Sequence, residues 1–472
     1  MLFSSLTFLY YFLPATLALY FIVPARGSLA PRNLALLAAS VVFYAWGEPV
    51  YVLLMAGQAL AGWFYGLLIE RFRGRPALSR AALLASLATG LGGLLFFKYS
   101  DFFLSNLATA LGTRLPTLGL ALPIGISFYT FQILSYTIDL YRGDTRVQRD
   151  PLKFSAYVML FPQLIAGPIV RYADVAESLA ARSTTLRGFA EGARRFTQGL
   201  AKKVLLANVL GELAGICGGG DENSALMAWL YALAYTLHIY FDFSGYSDMA
   251  IGLGRIFGFN FPENFNYPYI SRSATEFWRR WHMSLSSWFR DYVYIPLGGN
   301  RVRPARQALN ISVVWLLTGF WHGAGWNFIC WGLYFAALLL VEKFWLGGLL
   351  ARAPGIIAHA YLLLLVAVGW VIFDAAALEP ALGVIGRMFG LGASGLAGAE
   401  SLYYLRSYMT PLAVGVLGAT PLPKALAARA AACRQGKGAL AVLEPAAVLV
   451  MLVCVTAFLA DGSFNPFIYF RF

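Results

Sequence analysis

Residues 309–341 read LNISVVWLLTGFWHGAGWNFICWGLYFAALLLV, two apolar runs without a single Asp, Glu, Lys or Arg, interrupted at Thr318–Gly325 by a glycine-rich stretch that carries His322. Two helical pieces joined by a break at membrane depth account for this pattern. Unpaired backbone at that depth has to be buried in protein or line a cavity. An ionisable group there carries a functional hypothesis, because charge is costly in hydrocarbon. The glycines let other atoms approach closely, and Trp321 and Trp326 are expected to wall a pocket around the imidazole. The bland alternative is a histidine bonded to a carbonyl freed by the break.

Comparable apolar runs recur from Leu6 to Leu459. Of the 472 residues, 59% are hydrophobic and 12% charged, against roughly 45–50% and 25% in soluble domains. A soluble enzyme, a disordered chain and a disulfide-stapled secreted scaffold are excluded. The reading is an all-α polytopic integral membrane protein forming a single domain over residues 1–472, with no fixed-period repeat. Cys217, Cys330, Cys433 and Cys454 are far apart and show no C-x-x-C spacing, so neither a metal site nor a disulfide is expected. The uncharged start before Arg26 reads as a retained first helix.

Loop charge orients the chain, since short cytoplasmic loops collect Lys and Arg. Helices are expected over 5–24, 33–46, 50–69, 81–98 and 118–140. Inner loops then hold Arg26 and Arg32, next Arg71–Arg80, then Arg142–Lys153. An outer loop holds Asp101. Residues 154–170, with Pro162, Gly167 and Pro168, are too short and broken for a span and suggest a re-entrant or interfacial element. A helix over 204–217 leads to the turn 218–223, and a long run returns from Ala225. The block 260–306 mixes aromatic and basic residues without a clean span and reads as interfacial. Apolar runs near 355–373, 376–395, 408–421 and 439–460 follow, with Lys424, Arg429, Arg434 and Lys437 as a last basic loop.

The net charge of +13 is mostly this topology signal, so nucleic acid is not an expected partner. One concentration stands apart: Arg272, Arg279, Arg280, Arg290, Arg301, Arg303 and Arg306 against Glu276 and Asp291. Anionic lipid headgroups or a phosphate-bearing cosubstrate would both fit it. His282 lies inside the block. On a continuous helix Trp278, Trp281 and His282 would share a face, with Trp278 and His282 at i and i+4. An aromatic and basic interfacial helix without catalysis explains the same residues equally well. His238 is expected to bond within the bundle, with Asp242 a candidate partner at i+4. His359 reads as structural. Asp242 and Ser244, in YFDFSGYSDMA at 240–250, form a polar node that needs internal partners. No H-E-x-x-H, P-loop or G-x-S-x-G motif occurs.

Several longer motifs stand in a fixed order: MLFSSxxFL at the start, LPIGISFYTFQ at 122–132, FPQLIAGPIVRY at 161–172, FDFSGYSDMAIG at 241–252, FWRRWHMSLSSWFRDYVYIPLGGNR at 277–301, LTGFWHGAGWNFIxWG at 317–332 and the ending PFIYFRF. With them the chain resembles the membrane-bound O-acyltransferases, within them the alginate O-acetyltransferase branch that modifies bacterial exopolysaccharides. The resemblance implies about eleven transmembrane helices with re-entrant and interfacial pieces around a central tunnel, in the bacterial inner membrane. It implies that His322 is the principal active-site histidine and that His282 occupies the second polar position. Acetyl-CoA from the cytoplasm is the implied acyl donor, with no bound cofactor. Periplasmic acetyltransferase components and the exopolysaccharide machinery are the implied partners.

On this basis His322 is expected to act as general base toward an acceptor hydroxyl, with His282 orienting the donor or assisting proton transfer. A covalent acetyl-His322 relay is left open. Trp278, Arg280, Trp321, Trp326 and Asn327 are the candidates for the donor site or pocket. Two rivals remain: D-alanyl or other acyl transfer to a different envelope polymer, and a transporter in which His322 couples protons.

Overall fold

The structure is a computed structural model that describes residues 1–24, 27–462 and 467, with backbone alone for 434–437. Every regular element among the described residues is helical. Arg26, the side chains of Arg434 and Lys437, and all of the closing motif but Phe467 lie outside the described residues.

Five helices are long and apolar enough to cross a membrane: Tyr51–Arg71, Pro76–Leu111, Trp326–Arg352, Gly355–Asp374 and Gly438–Ala460. A sixth span results if Met409–Gly418 and Leu422–Ala432, bent by 64°, are taken together. Phe8–Ile22 and Ala30–Ala45 are shorter apolar helices. This makes the chain a helical membrane protein.

Several boundaries differ from the sequence reading. Asp101 is not in a loop: Pro76–Leu111 runs through it to a left-handed Gly112, and its carboxylate accepts the backbone N–H groups of Leu118 and Gly119 at 2.6 and 3.0 Å. The helix expected over 118–140 begins only at Ile126, after a left-handed Gly125. Lys424 and Arg429 do not form a loop but sit in the alanine-rich helix Leu422–Ala432, alanine being the strongest helix former. The run 376–395 is helical only over Leu378–Met388. Residues 154–170 form the end of a short helix, Pro151–Val158, followed by buried, non-helical chain to Val170. Between 260 and 303 the longest helical run is Met283–Phe289 continued by the π turn Arg290–Tyr294, too short to span a membrane.

The chain divides into two compact units, one of residues 1–196 and 247–262, the other of 197–246 and 263–472. In the first, Phe3, Phe8, Phe12, Phe43 and Phe161 form an aromatic core. Arg182 is held there by the Asn33 side chain at 2.6 Å and the Phe257 carbonyl at 3.0 Å, and Asp248 pairs with Arg195 at 2.9 Å. The second contains both candidate histidines. Its core is a stack of indoles and phenyl rings that includes Trp278, Trp281, Trp331, Phe335 and Trp370.

Candidate active site

The helix Pro304–His322 ends on His322 itself. Gly323 and Gly325 are extended, and Trp326 opens the next helix, so the break falls after the histidine rather than from Thr318. The two helices pack with backbones nearly touching. A Cβ at Gly319 would run into the Phe328 carbonyl, and one at Gly332 into the Trp315 carbonyl. Only glycine permits that approach. It pins the orientation of His322, which is 6% exposed.

The imidazole of His322 sits in an aromatic box. Trp321, Trp331 and Phe373 present their rings at 5.0, 5.1 and 5.2 Å, each near perpendicular. Asn327 fastens the box by donating to the Phe373 carbonyl at 3.3 Å. Trp326, the first residue of its helix, is 59% exposed. Trp331 and Phe373 take the place expected of it. They escaped the sequence reading because they come from five residues further on and from another helix.

His282 is placed differently from the continuous helix considered above. Ala274–Trp278 stops, the chain turns, and His282 stands at φ 45°, ψ 54° before Met283–Phe289. Trp278 and His282 are therefore not i and i+4 neighbours on a helix. A left-handed non-glycine residue costs of order 1–3 kcal/mol and needs support from its surroundings. Asn264 supplies it. Its side-chain oxygen accepts the Ser284 backbone N–H at 3.3 Å and the Ser284 hydroxyl at 2.9 Å, and lies 3.1 Å from His282 Nδ1. Its carbonyl accepts the Met283 N–H at 3.0 Å.

Since a backbone N–H can only donate, the Asn264 atom facing it is the oxygen, and His282 Nδ1 therefore carries the proton. Nε2 is then the basic nitrogen. The ring packs edge-on against Phe243 at 4.7 Å and lies 6.1 Å from Trp321. Trp321 thus touches both histidines. Burial pushes the His282 imidazole down to about 3, so it is uncharged at neutral pH.

His282 and Trp278 both line a cavity of about 1020 Å³. Its wall grades from exposed Arg272, Arg279 and Lys343 through Trp315 and Thr318 to the buried His282. Thr318 is one helical turn before His322. Arg279 has no ion-pair partner among the described residues. Arg280, by contrast, does not line the cavity: it pairs with Glu276 at 2.9 Å and donates to the Asn266 carbonyl at 3.2 Å. The turn after Trp278 reverses which of the two adjacent arginines faces inward.

The polar node also resolves. Asp242 bonds Lys203 at 2.5 Å, both side chains essentially inaccessible. Lys203 also lies 4.7 Å from the Phe467 ring. His238 does not use Asp242 as its partner; its Nδ1 lies 2.7 Å from the Ala207 carbonyl. Ser244 is buried on the same helix, but its hydroxyl has no hydrogen-bond partner among the described residues; His359 Nδ1 lies 3.0 Å from the Ser271 carbonyl. No group of three or more His, Cys, Asp or Glu side chains able to hold a metal occurs among the described residues.

The model of the membrane-bound O-acyltransferase family matches residues 143–350, a range that includes both histidines. A probable alginate O-acetylase, AlgI, of Azotobacter vinelandii is 42% identical over the full length of both chains. The chain belongs to the membrane-bound O-acyltransferase family. Another probable alginate O-acetylase AlgI, from Pseudomonas putida, is 41% identical over the full length of both. A peptidoglycan O-acetyltransferase of Helicobacter pylori is 36% identical over 83% of this chain and 80% of its own. The protein is thus a multi-pass membrane O-acyltransferase, and a transporter reading is set aside. Asn264, Trp331, Phe373 and Lys343, which the sequence reading did not single out, join the candidate-site residues by position.

Proposed function

We propose that this membrane-bound O-acyltransferase moves acetyl groups from cytoplasmic acetyl-CoA across the bacterial inner membrane for O-acetylation of an exported polysaccharide such as alginate. The observation that carries this reading is the cavity graded from exposed cations to a buried, neutral histidine. Arg272, Arg279 and Lys343 suit the donor's phosphates, and the apolar wall of Trp278 and Trp315 suits the pantetheine arm and excludes water from the thioester. About eleven membrane-embedded helices around a tunnel, with periplasmic acetyltransferase components receiving the product, complete the reading.

In this mechanism His322 is the general base. It takes the proton of the acceptor hydroxyl as that oxygen bonds the acetyl carbonyl carbon; the carbon–sulfur bond breaks, and the CoA thiol leaves with the proton from His322. His282 bonds the donor through Nε2 and positions it. Its low basicity suits a hydrogen-bonding role rather than proton storage. Membranes fed labelled acetyl-CoA should label the polymer, and His322→Ala should abolish this at normal protein level. Undiminished labelling by that variant would sink the assignment.

A further inference from the structure

Among the described residues, Glu342 is the only carboxylate on the wall of the donor cavity, and it is 3% exposed. A negative group there opposes the phosphates that Arg272, Arg279 and Lys343 suit, so its place needs another reason. Its hydrogen bonds supply one. Oε1 accepts the Ala274 backbone N–H at 2.6 Å. Oε2 accepts both the backbone N–H of Thr275 at 3.0 Å and its hydroxyl at 2.9 Å. The Tyr361 hydroxyl donates to Oε1 from 3.5 Å. A carboxylate has about four lone-pair sites, so these four donors leave none for a ligand. Glu342 acts through the chain it holds.

That chain carries half of the cation rim. Arg272, Thr275, Trp278 and Arg279 line the cavity from in and around the short helix Ala274–Trp278. A single turn of helix does not hold itself together in isolation. Two of its N–H groups are served locally: Ser273 Oγ accepts from Glu276 at 3.1 Å, and Glu276 accepts from Arg272 at 3.0 Å. Those of Ala274 and Thr275 are served by Glu342, from 68 and 67 residues away. The next residue, Lys343, is the cation that lines the cavity from the turn Glu342–Leu346. One side chain thus ties the segment bearing Arg272 and Arg279 to the segment bearing Lys343.

We propose that Glu342 is a positioning residue for the acyl donor: its carboxylate fixes the placement of Arg272, Trp278 and Arg279 relative to Lys343, so that one donor molecule meets cations from both segments at once. The role rests on the reading of this cavity as the acetyl-CoA site. Holding binding groups in register before the ligand arrives is what lowers the cost of its capture.

Glu342→Gln tests this, because it keeps the shape but replaces one acceptor oxygen by an NH2 that cannot accept a backbone N–H. Glu222 provides the control. It accepts the N–H groups of Glu400 and Ser401 at 3.0 and 3.2 Å, the same task carried out away from the cavity lining. In membranes fed labelled acetyl-CoA, Glu342→Gln should raise the KM for acetyl-CoA about ten-fold, some 1.4 kcal/mol, with turnover at saturating donor kept. Arg279→Gln should raise that KM less in the Glu342→Gln background than in wild type, since the arginine has already left its place. Glu222→Gln should keep the wild-type KM. If Glu342→Gln does not accumulate, Thr275→Val, which removes one donor to the carboxylate, should raise the same KM several-fold. A wild-type KM in Glu342→Gln, or in Thr275→Val where that is the variant measured, overturns the positioning role while Arg279→Gln still upholds the donor site. An equal rise in Glu222→Gln, or effects of Glu342→Gln and Arg279→Gln that simply multiply, also overturns it. No effect of Arg279→Gln on the KM, or no transfer from acetyl-CoA by wild type, refutes the donor reading itself and this role with it.

Discussion

The side-chain oxygen of Asn264 lies 3.1 Å from His282 Nδ1 and so sets the tautomer of a histidine held in a left-handed backbone conformation. The same oxygen takes the Ser284 N–H and hydroxyl, so one asparagine holds three donors. Asn264→Ala should cost about 1–3 kcal/mol, the penalty for a buried donor left without its acceptor. Thermal unfolding in detergent checks the loss. Asn264→Asp keeps the acceptor and adds a charge that favours imidazolium, so it should retain the fold while the acid limb of the pH–rate profile moves upward.

Acid should destabilise the folded protein through His282. Its imidazole is pushed down to about 3 by burial, while in the unfolded chain it titrates near about 6.5. Between those values the unfolded state binds a proton that the folded state does not, so stability falls as pH drops through the window, by up to about 1.4 kcal/mol per unit. His282→Gln should flatten the difference in melting temperature between pH 7.5 and pH 5. An equal difference in both proteins would assign the acid sensitivity to other groups.

Loss of the His322 imidazole removes the proposed base but leaves the glycine contacts between the flanking helices. His322→Ala should therefore lower acetyl transfer by about 10²–10⁴-fold with normal membrane insertion and little change in unfolding temperature. Polymer acetyl content and protein level, measured together, separate a chemical loss from a folding one.

Two adjacent arginines should behave differently. Arg279 lines the cavity, whereas Arg280 is engaged by Glu276. Arg279→Gln should raise the KM for acetyl-CoA several-fold, with the wild-type advantage shrinking as salt screens the phosphates. Arg280→Gln should leave that KM near wild type and cost at most about 1 kcal/mol of stability. Kinetics in membranes at low and high ionic strength decide between them.

The Lys203–Asp242 pair, buried on both sides, should be intolerant of single changes. Lys203→Met removes the cation buried against Asp242 and should cost about 3–5 kcal/mol. Adding Asp242→Leu should recover much of that loss, visible as restored expression and melting temperature.

Much of the architecture was legible in order and composition. Apolar runs marked the membrane helices, Pro162 and the glycines near 167 and 323 marked the breaks, and an ionisable group inside an uncharged stretch singled out His322. Helix ends were less legible, as at Asp101, because a polar residue can stay helical when its carboxylate finds backbone donors elsewhere.

The sequence by itself determined the class of molecule and the family and singled out two candidate histidines, because hydrophobic runs and long ordered motifs are properties of neighbours along the chain. Only the tertiary structure decided which residues surround those histidines. Asn264 is 18 residues from His282, and Phe373 is 51 from His322, far beyond the three- or four-residue spacing at which neighbours on one helix touch. Even adjacent residues were sorted by the fold, since the turn after Trp278 sends Arg279 to the cavity and Arg280 to Glu276. Such choices depend on a backbone reversal and on packing density, and linear periodicity records neither.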